Sequence, residues 1–261
     1  MKRTTILAPL VAAALAVPAL AAEQEFHWKG KVATGGAVEI KGVNGGITAT
    51  GGGTEVEVTA VKKGRKSDPS EVKVEVVEHA GGVTICAVYP STGAPNECKP
   101  GEGGRMSVRD NDVNVEFRVS VPAGVRFVGR TVNGGIEARG IAADAEARTV
   151  NGGVDLDAAG TARAETVNGG ITARLGRADW NGTLKLKTVN GGIELALPDG
   201  LNADVKASTV NGDIETDFPL TVTGRISRRK LEGTIGSGGR LLEMETVNGG
   251  IELRKAGAKK S

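Results

Sequence analysis

At 261 residues, 25% charged, 3% aromatic and a formal net charge of +2, the chain lacks the basic excess that phosphate-backbone affinity requires. It also lacks the aromatic platforms on which single strands stack. A general nucleic-acid binder and an anionic-membrane binder are thereby excluded, and the length allows one elongated domain or two compact ones.

Residues 1–21 read as a secretory signal peptide: Lys2 and Arg3, an apolar run from Ile6 to Val17, then Ala19-Leu20-Ala21 in the small-x-small pattern of a cleavage site. The run is too short to span a bilayer and no second long apolar segment follows, so no transmembrane anchor is expected. The expected location is the periplasm, or the cell surface and extracellular space. Loss of Lys2 and Arg3 brings the basic residues level with the 31 acidic ones.

Residues 22–126 form a less regular β-strand part. Stretches such as Ala37-Val38-Glu39-Ile40 and Thr54 to Val58 alternate with β-branched residues at every second position, the pattern of half-buried strands. Gly51-Gly52-Gly53 and the segment from Gly64 to Ser70 break them. Further strands follow at Glu71 to Val77 and Gly82 to Val88. Cys86 and Cys98 flank a loop rich in Pro, Gly and Ser. In an exported protein two such cysteines pair, and the spacing is not the Cys-x-x-Cys of a redox motif. Val113 to Val121 is another alternating strand.

Residues 127–256 carry the organising feature, the hexapeptide Thr-Val-Asn-Gly-Gly-Ile, continuous with the preceding part; residues 257–261 are a basic tail. Its asparagines are Asn133, Asn151, Asn168, Asn190, Asn211 and Asn248, at intervals of 18, 17, 22, 21 and 37. Leu231 to Ile235 divides the last interval into 21 and 16 and reads as one more rung that lost its asparagine, which leaves Asn248 as the terminal rung. An isolated early copy lies at Val43 to Ile47. Three and five residues after each asparagine lie apolar residues such as Ile136 and Ala138; six before lie Phe127, Ala145, Ala162, Leu184, Val205 and Leu242. Two strands per unit thus face inward, together with the motif threonine.

A period of about twenty residues indicates stacked repeats. Asn-Gly between alternating strands also signals a two-residue hairpin, so an antiparallel meander or sandwich competes with an all-β, two-sheeted parallel β-solenoid. The solenoid is the expectation, because stacking rewards identity of the whole hexapeptide: asparagine amides ladder, and valines and isoleucines pack on their own kind.

These repeats behind a signal sequence, with the strand-rich front half and the Cys86 to Cys98 excursion, resemble the adhesin-like domain family of bacterial envelope proteins, a family of unknown function built from β-strand repeats. The resemblance implies a two-sheeted parallel superhelix exported to the envelope, and it carries no catalytic residues to transfer.

Four residues after the asparagines stand Glu137, Asp155, Thr172, Glu194, Glu215 and Glu252. Stacking would align the five carboxylates in one outward column, where adjacent charges about 4.8 Å apart repel by roughly 0.9 kcal/mol even in water. The column could engage cations or a basic partner. Alternatively it is a solvated face neutralised by Arg130, Arg148 and Lys187 on one side and Arg139, Arg174 and Arg254 on the other. Asp110, Asn111, Asp112 and Asn114 begin like a calcium loop, but Val115 stands where glycine is required and no glutamate closes it. His27 and His79 are too few and too far apart for a histidine metal site or a Ser-His-Asp arrangement. Gly236 to Gly239 reads as a turn, and Asn181-Gly182-Thr183 as a glycosylation sequon. No catalytic, metal or cofactor site is expected. The sequence points to a non-enzymatic adhesin-like or envelope-interaction module whose partner is an unknown envelope protein or polysaccharide. The alternatives are an envelope-stress sensing component and a polysaccharide-active enzyme using Glu137, Asp155 and Asp157.

Overall fold

The computed structural model describes residues 23–180, 182–222 and 227–257; the signal segment, Asn181 of the sequon and the last four residues of the basic tail lie outside the described residues. The chain enters through β1 (Glu23–Gly30) and makes a coil from β2 (Ala37–Lys41) and β3 (Ile47–Gly51). It continues through β4 (Val56–Lys63) and β5 (Lys73–His79) to a coil of β6 (Gly82–Val88) and β7 (Asn114–Val121). Regular coils follow: β8 (Arg126–Arg130) with β9 (Ile136–Ile141), β10 (Ala145–Arg148) with β11 (Val154–Ala158), β12 (Ala162–Glu165) with β13 (Ile171–Leu175), and β14 (Thr183–Lys187) with β15 (Ile193–Leu197). The last elements are β16 (Ala203–Ser208), β17 (Ile214–Thr216), β18 (Lys230–Ile235), β19 (Leu241–Glu245) and β20 (Ile251–Lys255).

These strands form two ten-stranded sheets. The front sheet runs β1-β4-β7-β3-β9-β11-β13-β15-β20-β17, the back sheet β18-β16-β19-β14-β12-β10-β8-β2-β6-β5. Within the stack the pairing is parallel and in register, so Ile136 lies beside Val154, Val154 beside Ile171 and Ile171 beside Ile193. The protein is a two-sheeted parallel β-solenoid, and the hairpin alternative fails on backbone conformation. An Asn-Gly hairpin needs positive φ at the asparagine, yet among the described residues Asp110 is the one non-glycine residue with positive φ.

Alternation along each strand sends one set of side chains between the sheets. The front sheet contributes Ile136, Val154, Ile171, Ile193 and Ile251, and the back sheet Phe127, Ala145, Ala162, Leu184 and Leu242, all at most 3% exposed. Burying each large aliphatic chain stabilises by about 1.5–3 kcal/mol, and every coil repeats the contribution against both neighbours.

Strand order departs from chain order at both ends. The coil β2/β3 sits between β6/β7 and β8/β9, so the early copy at Val43 to Ile47 is not isolated: Asn44 bridges directly to Asn133. At the other end β19/β20 is inserted between β14/β15 and β16/β17, which makes Asn248 an interior rung and Asn211 the terminal one. Leu231 to Ile235 is not a rung that lost its asparagine. It belongs to β18, which runs antiparallel to β16 at the back-sheet edge, with Leu231 opposite Ala207 and Ile235 opposite Ala203. The opposite edges are also antiparallel, β5 on β6 and β1 on β4.

Candidate interaction face

The turn from each back strand to the next front strand is the hexapeptide, and each of its positions has a physical reason. The threonine is buried, with Thr149 6% and Thr188 1% exposed. Its hydroxyl donates to the carbonyl of the preceding coil's first motif glycine: Thr149 to Gly134 at 2.8 Å, Thr166 to Gly152 at 2.9 Å, Thr188 to Gly169 at 2.8 Å and Thr246 to Gly191 at 2.8 Å. A buried hydroxyl needs such a partner. The asparagine side chains form a second ladder on the surface. Each Nδ2 donates to the Oδ1 of its neighbour, Asn133 to Asn44, Asn151 to Asn133, Asn168 to Asn151, Asn190 to Asn168, Asn248 to Asn190 and Asn211 to Asn248, all between 2.7 and 2.9 Å. Every amide therefore points the same way along the stack.

The two glycines differ. A Cβ on Gly152 would lie 2.1 Å from the Gly134 carbonyl oxygen, whereas one on Gly153 would meet the Gly170 carbonyl at 3.5 Å. The first position thus excludes any side chain. The second accepts one, and Asp213 occupies it in the terminal coil.

Outward from the turn, the front sheet shows parallel rows. Next to the amide ladder runs a shallow groove of about 470 Å³ floored by glycines such as Gly135, Gly153 and Gly170 and walled by Glu137, Asp155 and Thr172. Register sets the wall in the order Thr48, Glu137, Asp155, Thr172, Glu194, Glu252, Glu215. Arginines two residues further along the strands engage it: Arg139 pairs with Glu137, Arg174 with Asp155 at 3.1 Å, and Arg254 with Glu252 and Glu215 at 3.0 Å and Asp217 at 3.1 Å. Hydrogen bonds to Glu252 and Asp217 drive the Arg254 pKa upward, and the Lys255 backbone N–H holds the Asp217 carboxyl below its ordinary value. Exposed pairs of this kind contribute only about 0–1 kcal/mol each.

Arg130, Arg148 and Lys187 do not neutralise that wall, because three residues before the asparagine the chain is still in the back sheet. There Arg130 contacts Glu39 at 2.9 Å and Glu146 at 3.3 Å, and Lys187 contacts Glu245 at 2.9 Å. Glu102, four residues beyond Cys98, joins Arg130 and Arg148 at 2.7 Å each. Its carboxyl is held below the usual range first by the Arg130 hydrogen bond. The Lys41 ammonium donates to the carbonyls of Lys99 and Gly101 at 2.5 Å and Gly103 at 3.0 Å, and burial pushes its pKa down. Cys86 and Cys98 form a disulfide that anchors this loop. Sequence reasoning missed the cluster: Glu102 lies outside the repeats, and Lys41, three residues before Asn44, belongs to the copy that reads as isolated, so only the recurrent basic residue before the motif hinted at a charged back face.

The remaining motifs resolve locally. Asp112 accepts backbone N–H groups from Lys66 and Ser67. The Ser237 and Gly239 amides are taken by Asn202 and Asp204. Glu137 and Asp155 are register neighbours on one sheet face, each held by an arginine. Among the described residues no helix is long and apolar enough to cross a membrane.

Comparison with known proteins returns no match among curated proteins. Solved structures similar to this chain include a "putative cell adhesion protein" from Clostridium sporogenes ATCC 15579, 10% identical over 89% of this chain and 100% of that one, with a TM-score of 0.45. Another is a "putative adhesin" from Parabacteroides distasonis ATCC 8503, 11% identical over 88% and 97% of the two chains, at 0.30. A third, a "putative adhesin" from Bacteroides fragilis NCTC 9343, is 9% identical over 89% and 97%, at 0.25. The Toastrack DUF4097 family model matches residues 95–254. Because that match spans more than half of its length, the chain belongs to the Toastrack DUF4097 family.

Proposed function

We propose that the protein is a non-enzymatic, adhesin-like module of the cell envelope that binds an extended partner along its motif turns. The observation that carries this reading is the contrast in charge. A quarter of the chain is charged, yet across seven stacked Val-Asn-Gly-Gly turns the one charged residue is Asp213. Beside the amide ladder the valines stand in a ridge open to solvent, with Val132 and Val150 38%, Val167 39%, Val247 37% and Val210 54% exposed. An uncharged strip with an apolar edge and one amide every 4.8 Å or so suits a partner that is itself long and repetitive, an envelope polysaccharide or an extended protein segment.

The test is retention of envelope polysaccharide and of solubilised envelope protein on the immobilised protein. Val150→Lys together with Val167→Lys should lower retention roughly tenfold, a loss of about 1.4 kcal/mol, with the fold intact by circular dichroism. Unchanged retention would sink the reading. So would turnover of a polysaccharide by the purified protein that Asp155→Asn abolishes.

A further inference from the structure

A second pocket lies away from the motif turns, at the end of the stack where β1 extends the front sheet one strand further than β5 extends the back sheet. It has a volume of about 460 Å³ and opens between the end of β1, the 31–36 loop and the β5–β6 turn. That size falls within the roughly 300–1,000 Å³ of small-molecule sites. On β1 the residues facing the interior are Phe26, Trp28 and Gly30, each half-buried. The Trp28 indole lies across Gly30, where a Cβ would come within 2.4 Å of the ring. Glycine at that position leaves room for the ring, and Trp28 lines the pocket.

The polar lining is of mixed sign. Lys31 and Arg126 supply two cations and Glu78 one carboxylate, and among the described residues none of the three has an ion-pair or hydrogen-bonding partner for its charged group. His79 is fixed: its Nδ1 accepts the Gly81 N–H at 3.2 Å, and Nε2 lies 3.2 Å from the Thr84 hydroxyl, which donates to Glu39 at 2.9 Å. The ring therefore serves as a wall.

We infer that this pocket binds a carboxylated sugar, a uronate unit of an acidic glycan. An indole face packs against the C–H face of a pyranose. The Arg126 guanidinium offers the planar fork that matches a carboxylate, with Lys31 as a second positive charge. Glu78 can accept sugar hydroxyls. The site is independent of the valine ridge.

Calorimetric titration of the exported chain tests the assignment, using cellobiouronic acid as probe, with cellobiose and uridine monophosphate for comparison. Cellobiouronic acid should bind one to one. Cellobiose lacks the carboxylate that would accept charge-assisted hydrogen bonds, so it should bind roughly tenfold or more weakly, and Arg126→Gln should lose as much. Trp28→Ala should weaken both sugars, while Val150→Lys with Val167→Lys should leave the titration unchanged. Arg126 is solvent-exposed, so its variant keeps the test open if Trp28→Ala fails to fold. Absence of binding, equal affinity for acid and neutral sugar, tighter binding of uridine monophosphate, or an Arg126→Gln titration like the wild type would each overturn it.

Discussion

The Asn248 side chain donates to Asn190 at 2.7 Å although another complete copy of the motif lies between them in the chain. The coil that ends the chain is thus slotted between two coils made before it, and Asn211, earlier in sequence, is left at the end of the ladder.

This order fixes which asparagine matters more. Asn248 has an amide bond on each side and Asn211 has one. Both are solvent-exposed, so water can replace what is lost, and a net bond is worth about 0.5–1.5 kcal/mol. Urea denaturation should show Asn248→Ala costing about 1 kcal/mol or more and Asn211→Ala about half of that. Asn168→Gly should be no better than Asn168→Ala, because no asparagine of the ladder uses positive φ. Equal, near-zero costs at both positions would show that the ladder contributes nothing.

The motif glycines should separate sharply. Gly152→Ala places a methyl 2.1 Å from a backbone oxygen that can move only with its whole coil, and it should cost at least ~3 kcal/mol, the upper range of overpacking. Gly153→Ala meets its neighbour at ordinary contact distance and should cost under ~1 kcal/mol. Chemical denaturation of the two variants decides it; similar costs would refute the close-approach account.

Replacing Cys86 and Cys98 together by alanine should lower stability by about 3 kcal/mol, the chain-entropy value for a loop of this size. It should also loosen the 97–105 segment whose carbonyls hold Lys41. Wild-type protein in reductant should behave like the double variant. Protease cutting in that segment is the local readout, and an unchanged cleavage rate would mean that the ion cluster holds the loop without the disulfide.

Stability should fall at both ends of the pH scale. Burial pushes Tyr89, whose hydroxyl donates to Val113 at 2.8 Å, up to about 12 from an ordinary 10.0. A raised folded value means that its contribution is whole below pH 10 and is lost as pH rises from 10 toward 12. At the acid end, Glu102 is depressed from 4.5 by the Arg130 hydrogen bond, and Asp112 from 3.8 by the Ser67 N–H. Their contributions are present above those ordinary values and are lost as pH falls below them. Urea midpoints measured against pH should show both limbs, and Tyr89→Phe should flatten the alkaline one.

The middle of the stack was legible because residues that repeat at a constant offset must lie side by side once coils stack; Ile136, Val154, Ile171 and Ile193 needed no other information. The ends were not legible for the same reason. Every coil presents an identical turn, so any coil can sit on any other, and nothing in the repeated hexapeptide tells Asn248 to join Asn190 before Asn211 does. Leu231 to Ile235 has the spacing and apolar pattern of a rung, but alternation alone cannot distinguish parallel from antiparallel pairing. On the candidate face, alternation along a strand sorted outward from inward residues. The wrong sheet was assigned to Arg130, Arg148 and Lys187 because the turn between them and the asparagine reverses the chain.

The antiparallel strands at the ends of the sheets set a limit on growth. A parallel stack with bare edges is a template onto which further chains can add without end, as in a fibre. Here β4 runs antiparallel to β7 and β5 antiparallel to β6, and the outermost strands β1 and β5 carry lysine and glutamate outward. At the other end β18 closes the back sheet, and the Ile214 N–H of the short edge strand β17 is already taken by the Arg228 carbonyl. Charged or already bonded edge strands at both ends thus work against the addition of a further coil.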